Sequence, residues 1–108
     1  MSYRNLLKET IEDLNENNKK TTDVLWVGRD YYDWENKEQV TYKATWDEFC
    51  MKANFEYDAG WGSAKIPQDL IVVGKDFWLE RHEYDGSEWW EFKAMPEEPT
   101  ETRELVLR

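Results

Sequence analysis

A single cysteine, Cys50, leaves this chain no internal disulfide, and no apolar run approaches the roughly 18–20 residues of a membrane span. The opening "MSYRNLLKE" lacks the cationic-then-apolar pattern of a secretory signal. These absences lead us to expect a cytoplasmic protein in a reducing compartment. Histidine is as scarce as cysteine, with His82 alone, and zinc sites usually need more of both. The glycine-bearing stretch "AGWGSAK" lacks the GK[ST] step of a phosphate-cradling loop. No cofactor is expected. Basic residues are also short, 14 against 24 acids for a formal charge of -10. The first twenty residues are balanced, so the whole excess falls on residues 21–108. A field of that sign repels nucleic acid and membrane surfaces and attracts basic protein clefts.

What the chain has in quantity is aromatic area. Seven Trp, six Tyr and four Phe in 108 residues supply large core pieces, since each ring buries about 150–250 Å². That length suits one domain with one core, which we place at residues 1–95. The fold class expected is α+β, in the order α-β-β-α-β-β-β, with helices on one face of an antiparallel sheet. In "SYRNLLKETIEDLNENNKK" Tyr3, Leu6, Leu7, Thr10, Ile11 and Leu14 form one helical stripe, with Ser2 as N-cap. Val24–Val27 reads as a strand closed by Gly28, and "VTYKA" as its partner. "TWDEFCMKANF" offers Thr45 and Glu48 as a capping box, with Trp46, Phe49, Cys50 and Ala53 on one face of a short helix. "DLIVVG" has the length and continuity of a central strand. From Pro96 the tail "PEEPTETRELVLR" is expected to be extended or flexible. "VLWVGRDYYDWE" and "LIVVGKDFWLER" echo one another, each reading as strand, tight G-[RK]-D turn and return strand.

The densest feature is "HEYDGSEWWEFK". Asp85-Gly86 is a hairpin signal. A two-residue turn pairs His82 with Trp89, Arg81 with Trp90 and Leu79 with Phe92; a three-residue bulged turn instead pairs Trp78 with Phe92 and Glu80 with Trp90. Either register leaves at least one of Trp78, Trp89 and Trp90 on the more polar face. Such rings stabilise a hairpin by covering one another, and they also make partner-contact patches, with Arg81 or the carboxylates as rim. The partner-contact set is Trp78, Glu80, Glu83, Asp85, Glu88, Trp89 and Glu91. His82 stands among Glu80, Glu83, Asp85 and Glu88, but neighbouring strand residues face opposite ways, so no metal site is expected. Cys50 on an apolar helix face is read as an inert thiol. The loop "FEYDAGWGSAKIP" either plugs the core with Trp61 or closes Tyr57 and Trp61 over a ligand.

From Phe55 onward, the F-x-Y-D-x-G-x-G loop, the "DLIVVG" strand and the "WLERHEYDGSEWWEF" hairpin resemble a group of small uncharacterised acidic proteins of Firmicutes bacteriophages and prophages and of related gut bacteria. The resemblance implies a mobile-element context in a bacterial host cell and transfers no catalytic residue. The expected function is noncatalytic protein binding. Its sharpest form is an acidic DNA mimic that occupies a basic nucleic-acid enzyme with Asp76, Glu80, Glu83, Asp85, Glu88 and Glu91, anchored by Trp89. The alternatives are a small-ligand or glycan site stacking on Trp61, Trp78, Trp89 and Tyr84, with Tyr57 nearby, and a phage structural or assembly protein.

Overall fold

Alternating apolar and polar residues build the strands, and the buried half of that alternation is what the helices cover. The computed structural model describes residues 3–108 of the chain. Strand β1, Tyr3–Asn5, leads into helix α1, Leu6–Glu16. A 3-10 turn at Thr21–Asp23 precedes β2, Val24–Asp33, and its partner β3, Glu38–Ala44. Helix α2 is Trp46–Ala53, and β4, Glu56–Asp58, follows. The chain then forms β5, Ile71–Gly74, β6, Phe77–Tyr84, and β7, Ser87–Ala94. The fold is α+β: β3-β2-β5-β6-β7 make a five-stranded sheet, and β1-β4 make a two-stranded one. All pairings are antiparallel, and β5 is the central strand as expected.

Register sorts the side chains of the large sheet onto two faces. Ala44, Val27, Val72, Leu79 and Phe92 lie side by side on the inner face. Trp26, Val73, Trp78 and Lys93 form a row on the outer face, and Gly28, Ile71, Glu80 and Glu91 form the next. A bulge at Leu25 breaks the alternation in β2. That extra residue lets Val24 enter the core while Trp26 turns outward. Both helices cover the inner face: α1 contributes Leu6, Thr10 and Leu14, and α2 contributes Phe49 and Ala53, around Val27, Val72, Leu79 and Trp90.

Several local expectations require correction. Ser2 lies outside the described residues; the cap of α1 is Asn5, whose side chain accepts from the Lys8 N–H at 3.1 Å. Tyr3 is an exposed strand residue and does not continue the helical stripe. Gly28 does not end β2, because its backbone pairs with Lys43 and with Ile71 and the strand runs on to Asp33. The echo therefore has no common structure: "GKD" turns the chain from β5 to β6, whereas "GRD" stays inside β2. The first hairpin turns at Trp34–Lys37, where Asp33 accepts from the backbones of Glu35 and Asn36 and Lys37 takes a φ of 56°. In α2 the capping box forms as read, Thr45 and Glu48 each accepting from the other's backbone. Beyond Ala94 the described chain has no helix or strand, and every residue from Lys93 to Arg108 is exposed.

Candidate functional site

The hairpin adopts the two-residue turn: Tyr84 opposes Ser87, and Asp85 and Gly86 take φ of 49° and 87°. That register fixes what each face can do. On the inner face it buries Arg81 and Glu88, which sequence reasoning placed at the surface. Arg81 has no side-chain exposure and Glu88 has 1%. The Arg81 guanidinium donates to Glu9 Oε1 at 2.8 Å, to Tyr57 Oη at 3.0 Å and to Glu88 Oε1 at 3.0 Å. Its Cζ also lies 4.8 Å from the centroid of the Trp90 ring. Tyr57 donates to both Glu9 oxygens, and burial together with that carboxylate pushes its phenol well above the ordinary value. Glu88 accepts from the backbone N–H of Lys65 and of Ile66, tying the 59–66 loop to the hairpin. The cluster is a structural clamp of α1, β4, the loop and the hairpin.

These placements withdraw two assignments. Glu88 is not available to a partner, because its carboxylate is spent on three internal donors. Tyr57 is not a stacking platform, because it is buried and its hydroxyl is bonded on both sides. Trp61 does not plug the core either: Ala59 and Ile66 do, while Trp61 is 76% exposed. Its backbone lies against Gly86, where an added Cβ would come within 3.5 Å of Trp61 Cα. Trp61 and Tyr84 thus both stand out near the hairpin tip. Cys50 is half-buried, and desolvation, with Asp47 nearby, raises its thiol pKa, as suits an inert thiol.

The outer face gathers the remaining hairpin residues into one constellation. Trp78 and Glu80 lie two apart on β6, as do Trp89 and Glu91 on β7, so each pair shares a face. Trp78 Nε1 donates to Glu80 Oε1 at 2.8 Å, and Trp89 Nε1 donates to Glu91 Oε1 at 3.4 Å. Each indole is thereby held over its own strand. Glu80 and Glu91 are direct cross-strand partners, an arrangement that like charges disfavour. His82 Nε2 lies between the two carboxylates, 2.8 Å from Glu80 Oε2 and 3.2 Å from Glu91 Oε2, and the Lys93 ammonium at 3.4 Å from Glu91 offsets the repulsion. The Trp78 indole and then His82 hold the Glu80 carboxyl below its usual pKa. The His82 ring also stacks on Trp89, at 24° between planes.

Glu80 from the same strand and Glu91 from across the hairpin converge on His82; the second is not among its sequence neighbours. His82 Nε2 fills the space between them, and among the described residues no group of three or more His, Cys, Asp or Glu is placed to hold a metal. Trp26 extends the aromatic row past Val73, its ring against Gly28, where a Cβ would meet Trp26 at 3.0 Å. Trp26, Trp78 and Trp89 are all half-exposed, and neither helix covers them. Glu83 and Asp85 are exposed at the tip, and Asp76 pairs with Lys19 at 3.6 Å.

The fold and this face define a class: a small α+β domain with a helix-covered inner sheet face and an open, aromatic outer one. No family model, curated protein or solved structure matches the chain. Among the described residues no helix is long and apolar enough to cross a membrane.

Proposed function

We propose that this chain is a noncatalytic binding module that grips a protein partner with the outer face of its sheet. The observation that carries the reading is three half-exposed tryptophans on a sheet face that no helix covers: Trp26 and Trp78 in one cross-strand row and Trp89 two rows along, beside His82. Aromatic anchors of this kind dominate interface energies, and the indole N–H groups of Trp78 and Trp89 already have partners, so covering those two rings leaves neither donor unsatisfied. The hydrogen bonds also fix ring orientation before contact, which lowers the ordering cost of binding. Glu80 and Glu91 keep free lone pairs for a basic rim on the partner. The resemblance to phage and prophage proteins points to a bacterial protein as that partner, met in the cytoplasm of the host cell.

The narrower reading, mimicry of DNA, rests on fewer carboxylates than the sequence offered. Glu88 is buried, Asp76 is paired, Glu80 and Glu91 share His82, and Glu91 also pairs with Lys93. The aromatic row therefore supplies the grip, and the tip acids Glu83 and Asp85 steer approach. Affinity-tagged protein immobilised against a bacterial extract tests both. The aromatic reading predicts a partner retained through high-salt washing and lost with Trp78→Ala/Trp89→Ala. Release by salt alone, with the Trp variant still binding, would assign the interaction to charge and overturn it.

A further inference from the structure

The helices leave part of the inner sheet face open. Helix α2, eight residues and about 12 Å long, is too short to follow β2, ten residues and about 33 Å, to its end. Between α2 and the loop that precedes β5 lies a groove of about 400 Å³. Core side chains floor it: Leu6, Val27, Phe49, Ala53 and Ile66, each no more than 5% exposed. Its walls are less well covered, with Phe55 44% exposed, Tyr42 53% and Leu70 half-buried. Small-molecule sites have this make-up, about 300–1,000 Å³ of mostly apolar lining with a few placed polar groups.

The rim selects the occupant. Lys43 pairs with Gly28 and belongs to the outer face, but Arg29, opposite Tyr42, is on the groove side, as are Lys52 and Lys65. Their one acidic neighbour in the lining is Glu48, in a chain whose acids outnumber bases 24 to 14. Glu48 stands four residues before Lys52, the spacing of a helical ion pair, yet its carboxylate accepts from the Thr45 N–H. Lys52 forms no ion pair among the described residues. The Lys65 ammonium binds the carbonyls of Trp61 and Ser63, so no carboxylate neutralises it. Arg29 is braced: Asp69 meets its Nε at 3.0 Å and its Nη2 at 3.3 Å, and its Cζ lies 4.6 Å from the Tyr31 ring centroid. Its Nη1 is left without a protein partner among the described residues. We propose that the groove binds a small amphipathic monocarboxylate, its apolar body against Phe55, Leu70 and Tyr42 and its carboxylate at the rim with Lys52 and Arg29. A guanidinium already held in place loses little freedom on meeting it. An amine of the same shape meets like charge there, and a neutral analogue leaves Lys52 unpaired. The exposed tryptophans lie on the opposite face of the sheet, so this inference stands apart from the partner-binding reading.

Titration of the isotope-labelled full chain with decanoate, decan-1-ol and decylammonium, each below its micelle concentration and followed by NMR amide shifts, tests it. Decanoate is expected to saturate with a Kd at or below about 1 mM and to move Arg29, Lys52, Phe55 and Leu70. Decan-1-ol should move the same residues but bind about fivefold more weakly, and decylammonium more weakly still. Lys52→Glu should remove the preference for decanoate and leave the affinity for decan-1-ol unchanged, which an unfolded variant could not do. Equal affinities for the three probes, a preference that survives Lys52→Glu, or no saturable shift with any of them overturns the proposal. So do shifts confined to Trp26, Trp78 and Trp89, which would place the ligand on the outer face.

Discussion

Arg81→Met separates a structural role for the buried ion cluster from a decorative one. The methionine fills most of the volume but leaves Glu9 and Glu88, 7% and 1% exposed, facing each other's charge without the guanidinium between them. Breaking a buried pair by removing one partner costs about 3–5 kcal/mol. Arg4, half-exposed and 3.4 Å from Glu9, remains in the variant, so the loss is that of the buried fork alone. Urea denaturation of both proteins at pH 7 reads this directly, with midpoints separated by at least roughly 1.5 M. Arg81→Lys keeps the charge without the fork and should fall between the two. A deficit under about 1 kcal/mol at pH 7 would refute the assignment.

Other predictions follow from single environments. Asp13 has its pKa raised to about 6 by burial first, then by Glu9 and Glu16, against the pull of Arg4 and Arg81. A carboxyl raised in the folded state favours folding while protonated, and that contribution is lost as pH rises from 3.8 through about 6. Asp13→Asn should therefore stabilise the protein at pH 7 by about 1 kcal/mol, after discounting for its half-exposed position, and by nothing below pH ~3.5; thermal melts at both pH values decide it. Glu80 is shifted the opposite way, so its stabilisation is present above the ordinary carboxyl range and fades as pH falls; Glu80→Gln should flatten that acid limb of the stability curve. Gly28→Ala should cost about 2–4 kcal/mol, because its Cβ would sit 2.5 Å from the Tyr42 carbonyl oxygen and against the Trp26 ring. A melting point within two or three degrees of wild type would contradict that steric account.

The sequence carried the architecture where period and turn chemistry agreed. The stripe through Leu6, Thr10 and Leu14, the Thr45–Glu48 box and Asp85-Gly86 each describe local geometry that needs no distant partner. The short strands β1 and β4 escaped notice because three residues carry no period, and only their pairing with one another, Tyr3–Asn5 against Glu56–Asp58, defines them. The candidate face was legible in part. With the two-residue turn, alternation alone puts Trp78, Glu80, His82, Trp89 and Glu91 together, which is how they lie. Glu88 was misplaced for a physical reason: a lone glutamate in an acidic hairpin reads as solvated, and its burial depends on Arg81 of the facing strand and on backbone donors of Lys65 and Ile66. Trp26 was missed because only the bulge at Leu25 turns it outward. The signal in hindsight was a single tryptophan in the otherwise aliphatic stretch Val24–Val27.

The central claim is that the outer sheet face is a contact surface, and quantitative capture from a bacterial extract measures it most directly. Wild type and Trp78→Ala/Trp89→Ala, matched for folding by circular dichroism, are compared by mass spectrometry after identical high-salt washes. The account predicts a protein enriched by wild type and lost by at least about tenfold with the variant, the scale expected when aromatic anchors are truncated. Equal enrichment by both, or none by wild type, would contradict it.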